Sequence, residues 1–371
     1  MSVATAGHVL PTYARQELTI VSGEGAWVVD ADGRRYLDFV AGIAVVGLGH
    51  RHPAPLVAAE RQLGRLWHVS NLYWTEPMLE LAGLLAERFA GAQAFFCNSG
   101  AEAIEAALKL ARKATGKHGV VALEDSFHGR TAGALSATGQ PAKRAAFEPL
   151  LPGVAFARPN DADSLARAVS GDTGCILLEP VLGEGGVHPL EPEFLAAARS
   201  LADEAGALLV LDEVQTGVGR TGTFFAFEQL DVRPDAVTLA KGLANGLPIG
   251  CLLAAGEAAR AFEPGDHAST FGGNPVACAA AVAVCETIDD DLLAHVRSLA
   301  ATVAERFDAR GLGLLLAVET PGPAADAVAA CRERGLLVGS AGETALRLTP
   351  PLTLTTEELD HGLAILEEVV L

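Results

Sequence analysis

The sequence predicts an α/β protein with two units: a large unit built on a mostly parallel sheet flanked by helices, and a smaller α+β unit assembled from both chain ends. Three observations carry this. From about residue 53, short continuously apolar runs alternate with segments of helical period, the pattern of a sheet buried on both faces. Residues 19–40 alternate in polarity between turns at SGEG and DADG. After about residue 290 strand and helix signals mix again. At 371 residues the chain exceeds one ordinary core, so more than one unit is expected. The expected bounds are 1–46 for the N-terminal segment of the small unit, 47–271 for the large unit and 272–371 for the C-terminal small unit.

TIVSGEGAWVVDADGRRYLDF reads as a small antiparallel hairpin. Helices are expected over 54–66, 76–90, 100–115, 192–205 and 275–288. Strands are expected at AFFC (94–97), VVALE (120–124), CILLE (175–179), ALLVLD (207–212), AVTLA (236–240) and CLLAA (251–255), with GLGLLLAV and ALRLTPPL as strands near the C-terminus. No internal repeat, low-complexity tract or long linker interrupts the chain.

Composition narrows the function classes. A net charge of −19 and a pI near 4.9 argue against nucleic acid or an anionic membrane as partner. They leave small anionic substrates open, because a local arginine pair outweighs the global field. The six cysteines form no C-x-x-C pair and most lie in apolar runs, the pattern of reduced core cysteines in a cytoplasmic protein. MSVATAGHVLPTYARQE lacks a basic region followed by an apolar stretch, so no secretion signal is expected. The longest uncharged run, Ala268 to Cys285, is broken by STFGGNP and too short to span a membrane. Half the residues are apolar and only 20% charged, which suggests surface buried in an oligomer.

One lysine stands out. Of 27 basic residues only five are lysine: Lys109, Lys113, Lys117, Lys143 and Lys241. Arginine does not lose its proton at usable pH, whereas a desolvated lysine does. Lys241, in DAVTLAKGLANGLP, is the only lysine after residue 143 and follows a strand-like run. That placement points to chemistry needing a free amine, such as a Schiff base. Lys109, Lys113 and Lys117, spaced four apart, read as one solvated helix face.

Four further segments could carry chemistry. In CNSGAEAIEAALKLARKATG, Ser99 and Glu102 have capping-box spacing, and Gly100 permits close backbone approach. By itself this is a capped helix, and its N-terminus is also an anion site suited to phosphate. In ALLVLDEVQTGVGRTG a buried strand ends in Asp212, at the edge where α/β sheets bind ligands. GVGRTG matches a dinucleotide fingerprint formally, but the aromatic TFFAFEQL that follows is a poor helix start. In EDSFHGRTAG, Phe127 could stack on a planar ring and Arg130 could clamp a carboxylate. His128 has no partner at metal-ligand spacing, so no metal site is expected. HASTFGGNP is a polar loop with adjacent hydroxyls on Ser269 and Thr270.

Together, FFCNSGAEAIEAALKLARK, FHGRT, EPVLGEGGV, LLVLDEVQTGVGRTG and STFGGNP resemble the class III (fold type I) pyridoxal-phosphate aminotransferases, and within them the acetylornithine aminotransferase group. The match runs in order from about residue 20 to 355. The resemblance implies that Lys241 forms the Schiff base with pyridoxal 5'-phosphate and then moves the proton. Asp212 would pair with the pyridine nitrogen. Ser99, Gly100 and Ala101 would hold the phosphate, Phe127 would stack on the ring, and Gln215 would lie near the phenolic oxygen. Thr270 would reach the phosphate in the neighbouring subunit of a homodimer with shared active sites, with Ser269 beside it near the substrate. Arg130 would bind one substrate carboxylate, and Arg347 the one next to the reacting carbon of glutamate or 2-oxoglutarate. Glu184 would pair with Arg347 and release it for the keto acid. The expected reaction is ping-pong transfer of the terminal amine of N-acetylornithine to 2-oxoglutarate.

The same motifs occur in succinyl-diaminopimelate, succinylornithine, N-acetyl-lysine, ornithine and 4-aminobutyrate aminotransferases, and the lysine also in glutamate-1-semialdehyde aminomutase. Dependence on 2-oxoglutarate separates the last of these. The region 306–322 is shorter than is usual in the family, which bears on the rim of the site.

Overall fold

The computed structural model describes residues 8–371; residues 1–7, the start of the expected N-terminal segment, lie outside it. Its centre is a seven-stranded sheet in the spatial order Gln93–Cys97, Gly250–Ala254, Ala236–Leu239, Leu208–Asp212, Thr173–Leu178, Gly119–Leu123, Val154–Ala157. Gly250–Ala254 pairs antiparallel with both neighbours, and the other pairings are parallel. The strands are apolar on both faces because helices cover both, and every residue of Thr173–Leu178 is buried. Val154–Ala157, at the sheet edge, was not anticipated; with only four residues, three of them half-buried, it gives a weak pattern.

The helices start where the sequence places their caps. Ser99 caps Gly100–Thr115, accepting from Glu102 N at 3.2 Å, and Gly116 ends it with φ of 69°. Helix Pro275–Thr287 is apolar all round and packs on helices Pro53–Leu63 and Glu76–Arg88. Its Ala277, Cys278, Ala281 and Cys285 join the core beneath the central sheet. All six cysteines are buried and free, and burial pushes the thiols of Cys97, Cys175, Cys278 and Cys285 up to about 12.

The expected N-terminal hairpin is a three-stranded antiparallel sheet, Ile20–Glu24, Trp27–Asp30 and Arg35–Asp38, because two tight turns fit within it. Leu336–Leu337 adds a parallel strand to it, so both chain ends meet in one sheet. GLGLLLAV forms two strands, Arg310–Leu312 and Leu315–Glu319, which reverse at Gly313. Ala345–Leu348 pairs with the second and carries Arg347. Among the described residues, no helix is long and apolar enough to cross a membrane.

Candidate active site

The C-terminal ends of the parallel strands converge on one cavity of about 430 Å³. Asn98 follows strand Gln93–Cys97, Phe127 and His128 follow Gly119–Leu123, Glu179 follows Thr173–Leu178 and Lys241 follows Ala236–Leu239, while Asp212 ends Leu208–Asp212. The antiparallel strand contributes the loop before it, Gly246 to Ile249. Of the residues singled out in the sequence, Ser99, Gly100, Ala101, Phe127, Arg130, Asp212, Gln215 and Lys241 line this cavity.

Lys241 sits two residues beyond Leu239 with φ of 43°, the left-handed region that side-chain-bearing residues avoid. Such strain is retained where the surroundings over-determine the backbone, and it marks functional positions. Among the described residues its amine has no hydrogen-bond or ion-pair partner. Burial holds its pKa below the usual lysine value; Arg347 adds to this, while Glu184, Asp212 and Glu179 oppose it. A larger neutral fraction is what a nucleophilic or proton-accepting amine requires.

Asp212 is 5% exposed and is held on three sides. Its Oδ1 accepts from Val214 N and Thr238 Oγ1, each at 3.1 Å, and its Oδ2 lies 2.7 Å from His128 Nδ1. The His128 side chain is fully buried, and its Nε2 has no partner among the described residues. Beside it, Glu179 accepts from Phe127 N at 2.7 Å and Gly183 N at 3.3 Å. Burial raises the Glu179 pKa to about 7, against the pull of His128. Neither Glu179 nor a role for His128 beyond metal binding is read from the sequence. Glu179 ends an apolar run as Asp212 does, so the strand-end argument applied once more would have found it. His128 sits between Phe127 and Arg130 and was weighed only as a metal ligand.

At the helix start, the N–H groups of Gly100 and Ala101 have no acceptor among the described residues. A side chain at Gly100 would meet Val214 Cγ1 at 2.8 Å, so the backbone lies against the strand-end loop. Asn98 ties this turn to the STFGGNP loop, donating to Glu102 Oε1 at 2.9 Å and to Ser269 Oγ at 3.1 Å. Thr270 is exposed and lies outside the cavity wall. Gly100→Ala is expected to destabilise by about 1–3 kcal/mol through overpacking, and to weaken phosphate retention; thermal melts with and without inorganic phosphate read both.

Arg347 and Glu184 form an ion pair behind Gln215, with Arg347 5% exposed. Arg347 Nη1 also donates to Gly183 O at 2.8 Å and reaches Gln215 Oε1 at 3.4 Å. Burial alone would raise the Glu184 pKa, but Arg347, Lys241 and Lys143 outweigh it and hold the carboxyl below its usual value. The 306–322 region packs here: Arg310 Nε donates to Gly186 O at 2.6 Å, two residues from Glu184. GVGRTG runs into a single 3-10 turn, Ala226–Gln229, and so offers no helix N-terminus.

This arrangement fits pyridoxal phosphate. The partnerless helix-start amides suit its phosphate, the Asp212 carboxylate its ring nitrogen, Phe127 its ring face and the Lys241 amine its aldehyde carbon. Such a site, at the switch edge of an α/β sheet, defines a cofactor-dependent transferase of amino groups. The "Aminotransferase class-III" family pattern matches residues 11–370, and the chain belongs to that family. It is a pyridoxal-phosphate-dependent aminotransferase.

Its relatives narrow the comparison. The chain is 48% identical to the acetylornithine aminotransferase of Corynebacterium efficiens, over 98% of this chain and 94% of that one. It is 45% identical to that of Archaeoglobus fulgidus, over 97% of each. Among solved structures it resembles ornithine aminotransferase from Toxoplasma gondii, with a TM-score of 0.93, 31% identity, and 99% of this chain and 92% of that chain covered. It also resembles N-acetylornithine aminotransferase from Stenotrophomonas maltophilia, with a TM-score of 0.84, 36% identity, and 99% and 98% covered.

Proposed function

We propose that this enzyme transfers the terminal amine of N-acetylornithine to 2-oxoglutarate, giving N-acetylglutamate 5-semialdehyde and glutamate, a step of arginine biosynthesis. The observation that carries the reading is the Lys241 amine, partnerless among the described residues, sharing its cavity with Arg130, which has no counter-ion among them, and feeling the charge of Arg347, which Glu184 masks. The names of the relatives support the same donor.

Pyridoxal phosphate supplies an electrophilic carbon for the amine and an electron sink for the carbon that loses its proton. The chain does the rest. Neutral Lys241 Nζ takes the proton from the carbon bearing the reacting amine and returns it on the other side of the transfer. Asp212, fixed by Val214, Thr238 and His128, would hold a negative charge toward the ring nitrogen. Ser99, Gly100 and Ala101 would anchor the phosphate, Phe127 would cover the ring, and Gln215 would stand by the phenolic oxygen. Arg130 orients the carboxylate at the far end of the donor. Glu184 neutralises Arg347 while an amine without a carboxylate at its reacting carbon is bound, and releases it to the 2-oxo acid.

The site is completed in a homodimer on this reading, with Thr270 reaching the phosphate of the partner subunit's cofactor and Ser269 near the substrate. Support comes from the exposed apolar surface flanking Thr270: Phe271 is 60%, Trp67 68% and Trp74 79% exposed. We place the enzyme in the cytoplasm, which the six free buried cysteines favour. We keep the division near residue 46 and set the second break after Thr287, since helix Pro275–Thr287 packs with the large unit.

The deciding experiment follows glutamate formation from N-acetylornithine and 2-oxoglutarate by the cofactor-loaded protein. Glutamate formed only when both are present is the expected result. Glutamate from 4-aminobutyrate but not from N-acetylornithine overturns the donor, and turnover of an amino-aldehyde without 2-oxoglutarate overturns the reaction.

A further inference from the structure

Three of the five lysines have partners: Lys109 donates to Asp266 O at 2.6 Å, Lys113 pairs with Glu263 and Asp266, and Lys117 donates to Ala205 O. Lys241 has its use in the reaction. Lys143, on the short turn Pro141–Arg144, has neither a hydrogen-bond or ion-pair partner among the described residues nor a role in what precedes. It is half-buried, and its Nζ lies 4.7 Å from the centroid of the Phe127 ring. The guanidinium carbon of Arg130 lies 5.7 Å from the same centroid. A chain of net charge −19 thus leaves two cations without counter-ions on one ring of the cavity wall. The charges acting on Lys143 are Glu184, Arg130, Arg347 and Glu179, and Glu184 is already paired with Arg347. Burial lowers the amine's pKa; Glu184 opposes this, Arg130 and Arg347 add to it, and Glu179 opposes it.

We propose that Lys143 is a specificity residue that excludes donors carrying a free α-ammonium group at their far end, so that the site demands a donor whose α-amine is acylated. The inference rests on the proposed donor reading. With Arg130 holding the α-carboxylate, the other substituent of that carbon would lie close to the Phe127 ring over which both Arg130 and Lys143 sit. An ammonium there meets two cations, while the nearby carboxylates are engaged elsewhere, Glu184 by Arg347 and Glu179 by the amides of Phe127 and Gly183, and like charges in a partly desolvated pocket repel strongly. An amide carries no charge, and its carbonyl oxygen accepts from the lysine. Lysine suits this task as a compact point charge, where arginine already serves as the planar clamp. Discrimination is thereby achieved by repelling the wrong donor as well as by holding the right one.

The experiment compares kcat/KM for N-acetylornithine and for L-ornithine, at fixed 2-oxoglutarate, in the wild type, Lys143→Gln and Lys143→Arg. The ratio of the two is expected to fall about tenfold or more in Lys143→Gln, as removal of a close like-charge pair implies. It should stay near the wild-type ratio in Lys143→Arg. Lys143→Met gives the same reading should the glutamine variant fold poorly. A lysine that merely props the Phe127 ring would lower both donors together, and an unchanged ratio overturns the proposal while leaving the donor reading intact. A wild type that does not use N-acetylornithine overturns both.

Discussion

Replacing Lys241 by arginine should reduce amino transfer by at least about 10³-fold in kcat, since both the nucleophilic amine and the proton carrier are lost. Arginine keeps the positive charge and much of the length, yet never supplies a neutral nitrogen. The fold should survive, because the Lys241 side chain lines a cavity and forms no hydrogen bond that the core depends on. Melting curves and glutamate production, measured together, check this; activity within tenfold of wild type would sink the assignment. The backbone supplies a second reading at the same position. With φ at 43°, Lys241→Gly relieves strain that Lys241→Ala retains. The glycine variant should therefore be the more stable of two inactive proteins, by about 1 kcal/mol.

Asp212→Asn carries the next largest expectation, a fall in kcat of about 10²–10³-fold, the scale on which losing one preorganised electrostatic group is felt. Asparagine retains an acceptor for Val214 N and Thr238 Oγ1. What it loses is the negative charge, and with it the carboxylate that lies 2.7 Å from Nδ1 of a fully buried His128. The effect should fall on kcat for every donor alike and leave the ratio between donors unchanged, unlike that of Lys143→Gln. A fall confined to KM would place Asp212 in substrate binding and overturn its proposed role.

The central sheet was legible because its strands are buried on both faces, which turns them into short apolar blocks such as CILLE and ALLVLD. Helices were legible through their punctuation: Ser99 and Gly116 bracket Gly100–Thr115, and Pro192 and Gly206 bracket the next long one. The small unit was harder to read. Its strands are two to five residues long, and a parallel partner for Arg35–Asp38 arrives some 300 residues later, at Leu336–Leu337. No local pattern carries that information. The site divides in the same way. Asp212 and Lys241 announce themselves as polar residues that end apolar runs. Lys143 does not, since PAKRAAF looks like any surface turn until Phe127 is seen beside it. The Arg347–Glu184 pair joins positions 163 residues apart, and pairing of that kind is written in the fold rather than in the spacing.

The scarcity of lysine makes this enzyme a reporter of its own occupancy. An amine-directed reagent meets five ε-amino groups, and three are tied to carboxylates or carbonyls away from the cavity. The two that are not, Lys143 and Lys241, flank the place where chemistry occurs. Labelling stoichiometry should therefore drop when the cofactor consumes one of them and drop again when a carboxylate-bearing ligand shields the other. In a lysine-rich protein that signal would be lost among dozens of surface amines.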